Sequence, residues 1–119
     1  VADAIVQPWL EDLAAQTSHI GLGSADPFSV MDPLTVEPVG GVYHRSAVTL
    51  ERVGLLLRNV TTDLVWPGLP PGTIITWYIG WDAPFNGNVT FSCPSPLLAF
   101  PSGGGWRVPA GDFFFGIGA

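Results

Sequence analysis

The chain contains no lysine, one cysteine, one methionine and two histidines among its 119 residues. Each shortage removes a possibility. With Cys93 alone there is no internal disulfide and no multi-cysteine zinc site, so the fold must be held by its core. Without lysine every basic side chain is an arginine, Arg45, Arg52, Arg58 or Arg107, against ten carboxylates and a formal charge of −6. A chain this acidic is poorly equipped to neutralise phosphates, so nucleic acid is not an expected partner. No apolar run reaches the roughly 18 residues of a membrane span. No charged start followed by an apolar core marks a signal peptide, and the expectation is folding in a reducing cytoplasm.

The signatures of catalysis are also missing. There is no Gly-x-Ser-x-Gly elbow, and Cys93 lies beside Pro94 without the glycine-rich surroundings of a cysteine nucleophile. His19 and His44 have no metal-ligand spacing. Gly103, Gly104 and Gly105 are not followed by Lys-Ser/Thr, so a turn is expected there and not a phosphate loop. Asp82, closing an apolar strand, reads as a turn residue bonding nearby amides. Asp26-Pro27 and Asp32-Pro33 have the form of turn initiators, with weak calcium ligation as the other use. The triplets Asn59-Val60-Thr61 and Asn88-Val89-Thr90 match the glycosylation pattern, which means little without secretion signals. No catalytic, cofactor-binding or metal-binding residue is assigned, no cofactor is expected, and the chain is read as not an enzyme.

What is abundant is apolar and aromatic. Hydrophobic residues make up 47% of the chain and charged ones 12%, with five tryptophans. Tryptophan and arginine are enriched at protein interfaces and lysine is depleted there, so the composition suits a subunit that buries much of its outside. Apolar residues at Ile5, Val6, Trp9, Leu10, Leu13 and Ala14 have helical spacing and predict an N-terminal helix over about 3–16. A long loop is expected over about 25–39, broken by Pro27, Pro33 and Pro38.

From His19 onward the period is two. Strands are expected at His19–Leu22, Val42–Leu50, Arg52–Arg58, Leu64–Trp66, Thr73–Trp81, Asn88–Phe91, Leu97–Phe100, Trp106–Val108 and Asp112–Ile117, with turns at Gly40-Gly41 and Pro67–Gly72. Thr73–Trp81, β-branched and aromatic almost throughout, reads as a mid-sheet strand covered on both faces. Within it Trp77 and Trp81 share one face and Tyr78 takes the other. Asn86-Gly87 is a hairpin signal. The Phe113–Ile117 tail reads as a central strand of the monomer, the other use being completion of a neighbour's sheet. The set predicts an all-β, mainly antiparallel domain spanning 1–119, a single β-sandwich or Greek-key barrel with one short N-terminal helix.

The order of features resembles that of small bacteriophage virion structural proteins of the tail-fibre-like type. The resemblance rests on Leu22-Gly23-Ser24-Ala25-Asp26-Pro27 and on the Glu37–Thr49 segment, which carries Gly40-Gly41-Val42-Tyr43-His44-Arg45. It continues in Gly72-Thr73-Ile74-Ile75-Thr76, Gly80-Trp81-Asp82-Ala83, Gly87-Asn88 and Val108-Pro109-Ala110-Gly111-Asp112. Gly23, where a polar residue is expected, and the tryptophan content depart from the pattern. The resemblance implies a virion component without catalysis, whose partners are other virion proteins, tail or capsid subunits, and further copies of itself in a homo-oligomer. A subunit of a tail appendage or tail tip is the leading expectation. Capsid decoration, with the 25–39 loop and the N-terminal helix as clamps, is the alternative. A carbohydrate-binding module for a host-surface glycan, with Trp81 or Trp106 as an exposed stacking platform, is a further one.

Overall fold

The computed structural model describes residues 11–38, 43–53 and 56–116. Residues 11–16 are helical, which is the C-terminal part of the expected helix. Residues 3–10, the Gly40-Gly41 turn and Ile117 lie outside the described residues. Leu13 and Ala14, one turn of the expected apolar stripe, pack against the core. The segment ends where the Thr17 amide and hydroxyl both bond back to the Leu13 carbonyl, at 3.1 and 2.9 Å.

Nine strands follow among the described residues: β1 His19–Gly23, β2 Ser46–Ala47, β3 Glu51–Val53, β4 Leu56–Arg58, β5 Leu64–Leu69, β6 Thr73–Trp81, β7 Val89–Phe100, β8 Gly104–Val108 and β9 Phe114–Gly116. They form a four-stranded sheet in the order β2-β1-β6-β7, a three-stranded sheet β3-β4-β9 and a two-stranded ribbon β5-β8. Every pairing is antiparallel. The chain is therefore all-β, with one short helical segment in its N-terminal part.

β6 lies inside the four-stranded sheet, as its β-branched and aromatic sequence predicts. Its two faces bury different clusters. Ile75 and Tyr78 join Ile20, Leu22 and Phe91 of the same sheet against Leu57 of β4, Leu64, Trp66 and Leu69 of β5, and Val108 of β8. Ile79 and Trp81 turn the other way, toward Val36. Trp66, fully buried, satisfies its indole N–H with the Ile20 carbonyl at 3.0 Å and stacks on Tyr78 at 6.0 Å. Phe113 meets the Tyr78 ring edge-on at 5.3 Å. Each such ring contributes about 1.5–3 kcal/mol by leaving water. Gly80 leaves room for the Phe91 ring, because a β-carbon there would lie 2.3 Å from it.

Several strand bounds differ from the sequence pattern, for identifiable reasons. Arg52–Arg58, read as one strand, is the hairpin β3–β4. Of Val42–Leu50 only Ser46–Ala47 pairs within the described residues. The Pro67–Gly72 turn is shorter than expected, because β5 continues to Leu69. Pro67 and Gly68 sit where the β5–β8 register shifts between Trp66 and Leu69, an irregularity that tolerates a missing donor. Asn88–Phe91 and Leu97–Phe100 belong to one strand, β7, which passes through Pro94 and Pro96. Both prolines are tolerated because β7 is an edge strand. The C-terminal phenylalanines do not form a central strand: β9 is a three-residue edge strand with Phe114 exposed.

The β6–β7 connection has the hairpin chemistry expected of Asn86-Gly87. Both residues have positive φ, 53° and 74°, which asparagine and glycine adopt at low cost.

Candidate interaction surfaces

The long loop does not extend into solvent. Asp26 and Asp32 each cap a 3-10 turn, Pro27–Ser29 and Pro33–Val36, accepting from the Phe28 and Leu34 amides at 3.0 Å. This is the turn-initiating role of Asp-Pro, with proline at the first helical position. The loop is closed by the Ser24 amide bonding the Val36 carbonyl at 3.0 Å, and tied to β7 by Ser92 donating to Asp26 at 3.1 Å. Val36 then covers Ile79 and Trp81 on the outer face of the four-stranded sheet.

At the end of this loop a buried polar cluster forms. Glu37 receives the Tyr43 hydroxyl at 2.6 Å and the Arg45 guanidinium at 2.7 and 3.2 Å. Their side chains are 11% and 4% exposed, respectively, for Glu37 and Arg45. Arg45 also donates to the Ala83 and Asn86 carbonyls at 2.8 and 2.7 Å, and lies 3.6 Å from the centre of the Trp81 ring. Tyr43 accepts from the Leu22 amide at 3.1 Å. Burial, and then the Glu37 carboxylate, push its phenol well above the ordinary range. Glu37, Tyr43 and Arg45 all belong to the segment that carries the virion-protein resemblance. Gly21 is what admits them: a β-carbon there would stand 2.9 Å from both Glu37 Oε2 and Tyr43 OH, and 3.0 Å from Trp81 Nε1. The cluster fixes the loop and the 82–88 turn to the sheet. Within it the buried Trp81 indole N–H is left without a hydrogen-bond partner, and the role of the cluster is positional.

Above it lies a cleft of about 390 Å³, walled by Leu34 and Pro38 on one side and by Pro84, Phe85 and Asn86 on the other. Phe85 is 76% exposed, and Phe28 and Met31 are exposed on the 25–38 loop. A second apolar surface is the outer side of the β3-β4-β9 sheet. Val53 pairs with Leu56 and Phe114 with Arg58, which places all four on one side, two residues apart along β4. Val53, Leu56 and Phe114 are exposed, and the Arg58 guanidinium sits 5.9 Å from the Phe114 ring.

The other candidates have structural roles or none. Asp82 bonds the Asn88 amide at 2.8 Å and its side chain at 3.2 Å, the turn role expected, and the amide bond holds its carboxyl below the usual range. His44 is exposed and lines the same cleft as the buried Arg45. Burial, with Arg45 nearby, lowers the His19 imidazole. Cys93 packs partly buried against the core, and burial pushes its thiol up to about 11. Among the described residues no group of three or more His, Cys, Asp or Glu could hold a metal ion. No helix among them is long and apolar enough to cross a membrane.

Two expectations need correction. Trp81 is not a stacking platform: it is fully buried beneath the returning loop. Trp106 is half-buried, donating its indole N–H to Tyr78 at 3.2 Å and packing edge-on against Phe100. Asn59, whose triplet carried no expectation, has a structural role. Fully buried, it donates to the Thr62 and Pro109 carbonyls at 2.6 and 3.2 Å and accepts from the Phe113 amide at 2.9 Å. Nothing in its triplet signalled that latch.

No protein-family model matches the chain, and no curated protein or solved structure matches it either.

Proposed function

We propose that this chain is a non-enzymatic structural subunit of a bacteriophage particle, placed in a tail appendage or tail tip and assembled through protein–protein contacts. The observation that carries the assembly reading is the outward face of the β3-β4-β9 sheet, where Val53, Leu56 and Phe114 stand exposed around Arg58. Exposed apolar sheet faces of this kind are covered in a working assembly, because left open they aggregate. The absence of lysine and the resemblance of the Glu37–Arg45 segment supply the virion context. Contact between copies through this face buries Phe114 and Leu56 together, the symmetric arrangement of most homo-oligomers.

Sedimentation of the purified chain tests it. Wild type self-associates as concentration rises, and Leu56→Asp with Phe114→Asp keeps the chain monomeric while leaving its circular dichroism unchanged. A wild-type chain that stays monomeric at high concentration and joins no virion protein contradicts the proposal.

A further inference from the structure

The outward face of the β3-β4-β9 sheet carries charge as well as apolar side chains, and the two are laid out in rows. Residues directly opposite across antiparallel strands share a face. Glu51, Arg58 and Phe114 therefore form one row across the sheet, and Val53 and Leu56 form the next row on the same side.

Both charges in the first row are unmet. Among the described residues Arg45 pairs with Glu37, Arg52 with Glu11 and Arg107 with Asp63, while Arg58 has no carboxylate partner. Of the five N–H donors of a guanidinium, one bonds the Gly111 carbonyl, and the buried Nε–H has no acceptor. Glu51 is exposed and stands across the strand pair from Arg58 without forming an ion pair with it. The face thus offers one free cation and one free anion a single strand apart, beside exposed Val53 and Leu56.

We infer that a second copy docks on this face about a twofold axis running along the strands between β3 and β4. That operation sets Arg58 of each copy against Glu51 of the other, and Val53 against Leu56, so one match is made twice. Packed sheets lie about 10 Å apart, a gap that arginine and glutamate side chains span together. Phe114, 5.9 Å from Arg58, walls each ion pair on its outer side. Other axes in the plane between the sheets fail. An axis across the strands sets Arg58 against Leu56 or each charge against its own kind, and an axis along β4 sets Arg58 against Arg58. With a formal charge of −6 on each chain, two copies repel at a distance, so the local match decides the pairing. The inference rests on the reading that copies meet through this face, and it adds the axis and the charge pairs that fix their register.

Charge reversal tests it, by sedimentation of the full chain with circular dichroism as the check on folding. Glu51→Arg and Arg58→Glu each weaken self-association at least about tenfold, because each sets like charges together twice. Mixing the two variant chains restores association, since every arginine at either position then meets a glutamate. Glu51 has no bond to lose, so Glu51→Arg decides alone if Arg58→Glu disturbs the fold. Self-association that Leu56→Asp with Phe114→Asp abolishes, but that neither reversal weakens, leaves the apolar contact standing and overturns the inference. Reversed chains that stay apart when mixed overturn it as well, and assign the two charges to a different protein. A wild-type chain that remains monomeric overturns both the inference and the reading beneath it, so the two failures are told apart.

Discussion

Replacing Arg45 with methionine tests the idea that a buried ion pair holds the long loop and the 82–88 turn in place. The stem of methionine fills part of the arginine volume, but the guanidinium goes. Glu37 loses contacts at 2.7 and 3.2 Å, and the Ala83 and Asn86 carbonyls lose donors at 2.8 and 2.7 Å. The carboxylate stays at 11% exposure with the Tyr43 hydroxyl as its remaining hydrogen-bond donor. Removing one member of a buried pair costs about 3–5 kcal/mol, mostly from the stranded charge. For a domain of this size that lowers Tm by on the order of 10–20 °C. Replacing Glu37 with methionine in the same chain removes the stranded charge. The double variant is then more stable than Arg45→Met alone, a strongly non-additive cycle. Urea unfolding of wild type, the two single variants and the double variant gives the coupling directly. Strict additivity, or a loss below about 1 kcal/mol for Arg45→Met, refutes the argument, since that is the range of an exposed pair.

Further outcomes follow from the same geometry. Gly21→Ala puts a methyl 2.9 Å from Glu37 and Tyr43, so it destabilises by about 1–3 kcal/mol in thermal melts, whereas the exposed site Ala15→Gly costs about 1 kcal/mol or less. Asn59→Ala strips partners from the Thr62 and Pro109 carbonyls and the Phe113 amide and costs on the order of 3 kcal/mol in urea, and a neutral result removes the latch role. Cys93, with its thiol raised from 9.0 to about 11, holds its proton more tightly folded than unfolded. Its contribution to stability is therefore complete below pH 9 and is lost as pH rises from 9 toward 11, so Cys93→Ser flattens that limb of a stability–pH curve. Asp63 and Asp82 have the opposite sign. Their carboxyls sit below 3.8, held by Arg107 and by the Asn88 amide, so their contribution is present above pH 4 and fades as pH falls through the lowered values. Asp82→Asn removes part of that acid limb.

Local chemistry carried far in this sequence. β6 was legible because a run of β-branched and aromatic residues suits only a covered strand, and its alternation placed Trp77 and Trp81 opposite Tyr78 correctly. The Asn86-Gly87 hairpin and both Asp-Pro turns followed from backbone preferences alone. Prolines misled where strands lie at edges: Pro67, Pro94 and Pro96 looked like breaks, but an edge position or a register shift needs no donor from them.

The buried cluster was not legible, because it depends on Gly21 in β1 leaving space for residues more than a dozen positions away. The same return of the loop is what covers the Trp81 face of β6, which the sequence marked as covered without showing by what. Asn59 was hidden by its triplet; of the three partners of its side-chain amide the Thr62 carbonyl is local, and the other two come only with the approach of the 109–113 segment.

The most direct test of the central claim is the copy number of this chain in purified particles, by quantitative mass spectrometry against the major shell protein. A tail or tail-tip subunit is present in a few copies to a few dozen. Hundreds of copies, comparable to the shell, place it on the capsid instead, and absence from the particle contradicts the virion reading.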